Sequence, residues 1–133
     1  MMVKKWEEKF YKKNSIEIKT LNKSFWGKEI GSKMLIPSPK LIQDYINMSD
    51  PGQNLSVEVM RNDLAIENGA DFTCPLTSGI FLRIVAEYNH ELLSSQQKNI
   101  CPFWRIIDPK SKIANKLSFG KDFIIMKRQE ENI

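Results

Sequence analysis

Residues 56–93 read SVEVMRNDLAIENGADFTCPLTSGIFLRIVAEYNHELL, and this stretch decides the fold. Ser56 supplies a hydroxyl N-cap for a helix that turns Val57, Met60 and Leu64 inward. Gly69 stands just past the end of that helix, where a left-handed residue closes the last turn. Asp71, Thr73 and Pro75 break the periodicity. A longer helix then runs from about Leu76 or Thr77 to about Leu93. Leu76, Ile80, Ile84 and Tyr88 recur four apart as its inner face, and Phe81, Val85 and Leu92 widen the stripe. Ser94-Ser95-Gln96-Gln97 is polar and ends it.

Upstream, Met34-Leu35-Ile36 is a short apolar run closed by Pro37. Ser38 followed by Pro39 is a helix start, a hydroxyl cap and then proline at the first helical position. Leu41, Ile42, Tyr45 and Ile46 form a buried face, and Asp50-Pro51-Gly52 is a turn. Residues 3–13 form a short amphipathic helix with Trp6 and Phe10 on one face. Ser15-Ile16-Glu17-Ile18-Lys19 alternates as a strand does. Residues 20–33 hold Gly27 and Gly31 and form a loop from which Phe25 and Trp26 dock. Residues 1–33 are thus an N-terminal arm packed on a domain spanning 34–133.

Downstream, Ile100 to Ile107 is apolar and interrupted by Pro102, which marks an extended segment on a sheet edge. Asp108-Pro109-Lys110-Ser111 is a turn, and a last helix carries Phe123, Ile124 and Met126. Short helices, a connection, a longer helix and a basic extended hairpin make an α+β domain with the order of a winged helix-turn-helix.

The chain's 133 residues fit one domain, and 41% hydrophobic with 27% charged residues excludes a disordered or collagen-like chain. Two cysteines, Cys74 and Cys101, make no secreted framework. No apolar run approaches the ~18 residues of a membrane span. The first residues have lysines but no apolar core behind them, unlike a signal peptide. A soluble, cytoplasmic protein is expected. Net charge is +4, unevenly spread. Residues 1–33 carry nine lysines against four acids, net +5; residues 34–97 carry three bases against eight acids, net −5; residues 98–128 carry eight bases against two acids, net +6. A polyanion is drawn to the ends and repelled by the middle.

Three segments resemble the DNA-binding domain of the O6-alkylguanine-DNA alkyltransferases, in particular a subfamily that lacks the acceptor cysteine. Met34-Leu35-Ile36-Pro37-Ser38-Pro39 resembles the opening of that domain, and Ile46 to Gly52 its "IPxG" helix end. Gly69 to Phe81 is similar to a "GAD-x-x-CP-x-TTGIF" stretch, and Cys101-Pro102-Phe103-Trp104-Arg105-Ile106-Ile107 to a "TPxWRV" segment. Asn115 to Gly120 resembles the turn into the last helix, and Lys5 to Lys9 fits the subfamily's opening. Repairing members carry Pro-Cys-His-Arg-Val. Here Pro102 and Arg105 match, but Phe103 stands at the nucleophile and Trp104 at the histidine base. Alkyl transfer needs a thiolate, so the resemblance implies a non-enzymatic binder of DNA, able to sense damaged bases without methyl transfer. In this register Leu76 falls on the family's base-flipping arginine and Val57 on its tyrosine.

The candidate DNA-contacting residues are Thr77 and Ser78 at a helix start, Arg83 within that helix, Arg105, and the lysines Lys110, Lys112, Lys116 and Lys121. For Thr77 and Ser78 a capping role competes with a phosphate contact, and for Arg105 a carboxylate or backbone carbonyl competes with a phosphate. Phe103 and Trp104 either stack on a base, worth ~1–3 kcal/mol in single-strand binders, or belong to the core. Cys101 is a structural cysteine rather than a residual acceptor, and His90 a surface histidine rather than half of an acid–base pair. Cys74, Cys101, His90 and Glu91 lack zinc-site spacing. No metal, cofactor or membrane partner is expected. The expected partner is double-stranded DNA, and the expected state a monomer. The alternative function is a protein-interaction module that keeps the fold and has lost DNA affinity.

Overall fold

A computed structural model describes residues 5–133. The expected first helix begins two residues before that range; within it, helix α1 covers Lys5–Lys12. Strand β1 (Glu17–Thr20) runs antiparallel to β2 (Lys33–Ile36), with Ile18 opposite Leu35. Helices α2 (Pro39–Asn47) and α3 (Val57–Glu67) then cross over to the two-residue β3 (Phe72–Thr73), which lies parallel to β2. A parallel neighbour demands such a crossover. Helix α4 (Pro75–Ser94) follows, then a single 3-10 turn at Phe103–Arg105, α5 (Lys112–Lys116) and α6 (Asp122–Glu130). The fold is α+β, with a small sheet in the order β1-β2-β3.

The local signals read from the sequence hold at the helix starts. Ser38 accepts the Leu41 N–H at 3.2 Å with Pro39 behind it, and Ser56 accepts the Val59 N–H at 3.3 Å. Gly69 takes the left-handed backbone (φ +71°) that closes α3. Helices α1 and α2 pack against α4, α3 against β2 and β3, and α6 against the 3-10 turn. Leu35, Ile42, Ile46, Met60, Leu64, Leu82, Val85, Phe103 and Ile124 are fully buried in one cluster. Each such side chain contributes roughly 1.5–3 kcal/mol by leaving water.

Three expectations are corrected. No strand forms among residues 98–133, so the basic hairpin is absent: Ile100 to Ile107 winds into a buried turn and Ser111 caps the short α5. Pro102 and the apolar run around it made an edge strand attractive, but Phe103, Trp104, Ile106 and Ile107 are all buried together, which an edge strand cannot achieve. The inner face of α4 is also not the four-apart row. A helix advances about 100° per residue, so twelve residues along such a row rotate it by about 120°. Ile84 and Tyr88 are buried, whereas Leu76 and Ile80 are 59% and 50% exposed; the core is met by Ser78, Leu82, Val85, Ala86 and Asn89. Third, Phe25 and Trp26 do not dock. They sit on a tight turn, Phe25 and Lys28 exchanging both backbone hydrogen bonds, with Trp26 and Gly27 at φ +54° and +74°. Trp26 is 55% exposed.

The arm packs through Trp6 and Phe10. Phe10 is buried and stacks on Tyr88, ring centres 4.5 Å apart, and Trp6 is half-buried against the core.

Candidate nucleic-acid interface

The exposed half of α4 forms the floor of an open groove of about 350 Å³. Pro75, Leu76, Gly79 and Ile80 come from its first turns, Ile84 from deeper in the helix and Ile113 from α5. Gly79 has open space where a Cβ would stand, so the groove floor is low there. Trp6, Lys9, Arg83 and Lys116 complete the lining.

The cations of this groove come from three distant segments. Lys9 lies on α1, Arg83 on α4 and Lys116 on α5. Lys5, Lys9 and Arg83 crowd the Trp6 ring, at 5.3, 4.7 and 5.3 Å from its centre. Such contacts hold Lys5 and Lys9 without neutralising them, whereas Arg83 is also ion-paired with Glu87. No acidic side chain lines the groove. Four of the eight acids of 34–97 are engaged elsewhere: Asp44 with Lys40, Asp63 with the Tyr45 hydroxyl, Asp71 with the Lys33 N–H, and Glu91 with the Glu7 N–H. Glu87 is buried beneath, accepting from the backbone N–H and hydroxyl of Ser118 while Arg83 approaches it at 3.5 Å. The negative middle of the sequence therefore does not face the groove.

Of the residues singled out by sequence, the groove brings together Arg83 and Lys116. Lys112 lies one helical turn before Lys116 on α5 and is exposed. Lys110 and Lys121 are exposed but line neither the groove nor the cavity described next. Ser78 is corrected: it is fully buried and its hydroxyl donates to the Pro75 carbonyl at 3.1 Å. Cys74 holds the cap position of α4 without a side-chain cap, so neither Thr77 nor Ser78 caps the helix; Thr77 Oγ1 is buried with no partner. Arg105 is 7% exposed, its Nε donating to Glu131 Oε1 at 2.8 Å and its Nη1 to the Ser49 carbonyl at 2.9 Å. It is spent inside the fold and cannot reach a phosphate.

Phe103 and Trp104 are also corrected as an open base pocket. Phe103 is 0% exposed and stacks on Phe123, and Trp104 donates its indole N–H to Glu131. The space lies beside them. A cavity of about 320 Å³ is lined by Leu55, Val57, Leu82, Ile106, Ile107 and Ile113, with Asn54, Ser56, Asp108, Ser111 and Arg128 at its polar side. This is within the ~300–1,000 Å³ range of small-molecule sites. Ile113 lines both the cavity and the groove, so the two adjoin across α5. Sequence reasoning named the N-terminal lysines as helpers without singling out Lys9, and missed Ile113 and this cavity, because no local pattern joins residues on α1, α4 and α5.

Cys101 is buried; its N–H donates to Asn89 Oδ1 at 2.9 Å, and burial pushes its thiol up to about 12. A thiolate is therefore scarce near neutral pH. His90 is not a free surface residue. Its ring lies parallel to Phe119 at 4.0 Å and edge-on to Phe123, and burial holds its imidazole below the ordinary value, against a smaller opposing effect of Glu87. Among the described residues no cluster of three metal-ligating side chains exists, and no helix is long and apolar enough to cross a membrane. No family model, curated protein or solved structure matches the chain.

Proposed function

We propose that this chain is a non-catalytic DNA-binding protein of the alkyltransferase-like type. In this reading α3, the connection 68–74 and α4 serve as a helix-turn-helix, and α5 takes the flanking place expected of a wing. The observation that carries it is the groove on α4: free of acids and rimmed by Lys9, Arg83 and Lys116, drawn from both basic segments of the sequence and the helix between them. A phosphate backbone is the ligand such a rim suits. The neighbouring cavity offers an apolar space to an extrahelical base, at the cost of a few kcal/mol for unstacking. In this reading methyl transfer is absent, because the resemblance sets Phe103 at the acceptor position and burial raises the Cys101 thiol.

Anisotropy titration with duplex DNA at several salt concentrations tests this. Three to four phosphate contacts give a slope of log affinity against log salt of roughly −3 to −4. The Lys9→Glu/Lys116→Glu variant should flatten it. Wild-type protein without salt-dependent binding overturns the reading. That result favours a protein-interaction module instead, which the exposed Leu76 and Ile80 on the groove floor support.

A further inference from the structure

Strand β1 is the outer strand of the sheet, and all four of its residues are exposed. Which of its backbone groups are free follows from the far side of the sheet. The Lys33 and Leu35 carbonyls accept from the Asp71 and Cys74 N–H groups, both at 2.8 Å. Met34 and Ile36 therefore turn their backbone groups the other way, toward Lys19 and Glu17. The N–H and C=O groups of Ile18 and Thr20, and of Ile16 by continuation, point off the open edge. Ile16 and Ile18 are 39% and 45% exposed beside them.

We propose that this edge is where a second copy of the chain binds, β1 against β1, antiparallel, with the two-fold axis at Ile18. In that register Ile18 faces Ile18 as a hydrogen-bonded pair, and Ile16 faces Thr20 as the next. Both pairs use backbone groups that one copy leaves unpaired. Glu17 falls opposite Lys19 twice, by symmetry, in the non-hydrogen-bonded pairs where side chains stand closest. Moving the axis by one residue sets Glu17 against Glu17 or Lys19 against Lys19, so charge selects the register. Lys19 has no tight internal partner, lying 3.9 Å from its own Glu17; Glu17 is paired with Lys13 through Oε1, which leaves Oε2 for the Lys19 of the second copy. The product is a continuous sheet in the order β3-β2-β1-β1-β2-β3. Exposed edges normally carry charge that repels a neighbour; here the two charges flank Ile18 with opposite sign and attract one. The proposed dimer departs from the monomer expected from the sequence.

Sedimentation equilibrium of the full chain tests it. The wild type should show twice the 15.5 kDa of one chain. Glu17→Lys and Lys19→Glu should each reduce this to a single chain's mass. An equimolar mixture of the two variants should restore the doubled mass, because their charges are then complementary across the axis. Ile18→Pro should also give the single mass with unchanged helical circular dichroism, since the Ile18 N–H takes no part in its own sheet. A wild type of single mass at every concentration overturns the proposal. So does a dimer that survives both Glu17→Lys and Ile18→Pro, or a variant mixture that stays at single mass.

Discussion

Trp104 donates its indole N–H to Glu131 Oε2 at 2.6 Å, and this bond ties the buried 3-10 turn to the turn after α6. The other carboxylate oxygen of Glu131 accepts from Arg105 at 2.8 Å and from the Gly52 N–H at 2.7 Å. One acid thus satisfies three donors from two segments. Its side chain is 13% exposed and that of Arg105 is 9% exposed.

Glu131→Ala strands the Arg105 guanidinium. Removing one partner of a buried pair costs about 3–5 kcal/mol, so the melting temperature should fall by about 10 °C or more. Burial pushes the Glu131 carboxyl up, but the bonds from Arg105, Gly52 and Trp104 outweigh it and hold it below the ordinary value. Its contribution is then present above the unfolded carboxylate range and lost as pH falls through the lowered folded value. Glu131→Gln should lose that acid dependence in a melting series. A Glu131→Ala melt equal to wild type refutes the role.

His90 should titrate in the opposite sense to a salt-bridged histidine. Burial against Phe119 and Phe123 lowers its folded value, so the unfolded chain takes up the proton first. The destabilisation is absent above about 6.5, grows as pH falls through the lowered folded value, and is full below it. His90→Phe keeps the stack and removes the proton. Its melting temperature should decline less than wild type between about pH 7 and about pH 5.

Both thiols should resist alkylation in the native protein. Cys74 and Cys101 are buried, and the Cys101 thiol sits far above neutral. Intact-mass measurement after iodoacetamide should show no adduct at neutral pH and two in denaturant. Incubation with O6-methylguanine DNA should add no methyl group to either. A native adduct on Cys101 contradicts the packing described.

Leu76 and Ile80 discriminate what the groove holds. Both are exposed, so replacing them should change stability by no more than about 0.5 kcal/mol. If the groove meets DNA, Leu76→Arg adds a phosphate contact and steepens the salt slope by ~0.9, and Ile80→Glu weakens binding. Equal DNA affinity for all three proteins would place the contact elsewhere.

The sequence by itself determined the helix starts and stops that rest on local capping. Ser38-Pro39, Ser56 and Gly69 start and stop helices by capping chemistry that involves only neighbouring residues, and each is found in place. The apolar periods located α2, α3 and α4 within a residue or two, because burying one face is a property of the pattern. Tertiary structure alone decided what the pattern leaves open. The four-apart row on α4 drifts around the helix by geometry alone, but which part of the drifting row is covered was decided by α1 and α2 packing on α4, which leaves Leu76 and Ile80 outside. Arg105 was expected to hold a carboxylate or backbone carbonyls, with a phosphate as the alternative, but its partner Glu131, 26 residues on, was not legible until the fold closed over it. The two basic segments were visible as charge, but their meeting with Arg83 depends on α1 and α5 approaching α4 from opposite ends of the chain. Charge along a sequence is additive and local, whereas a charged surface is set by which faces the core leaves outside.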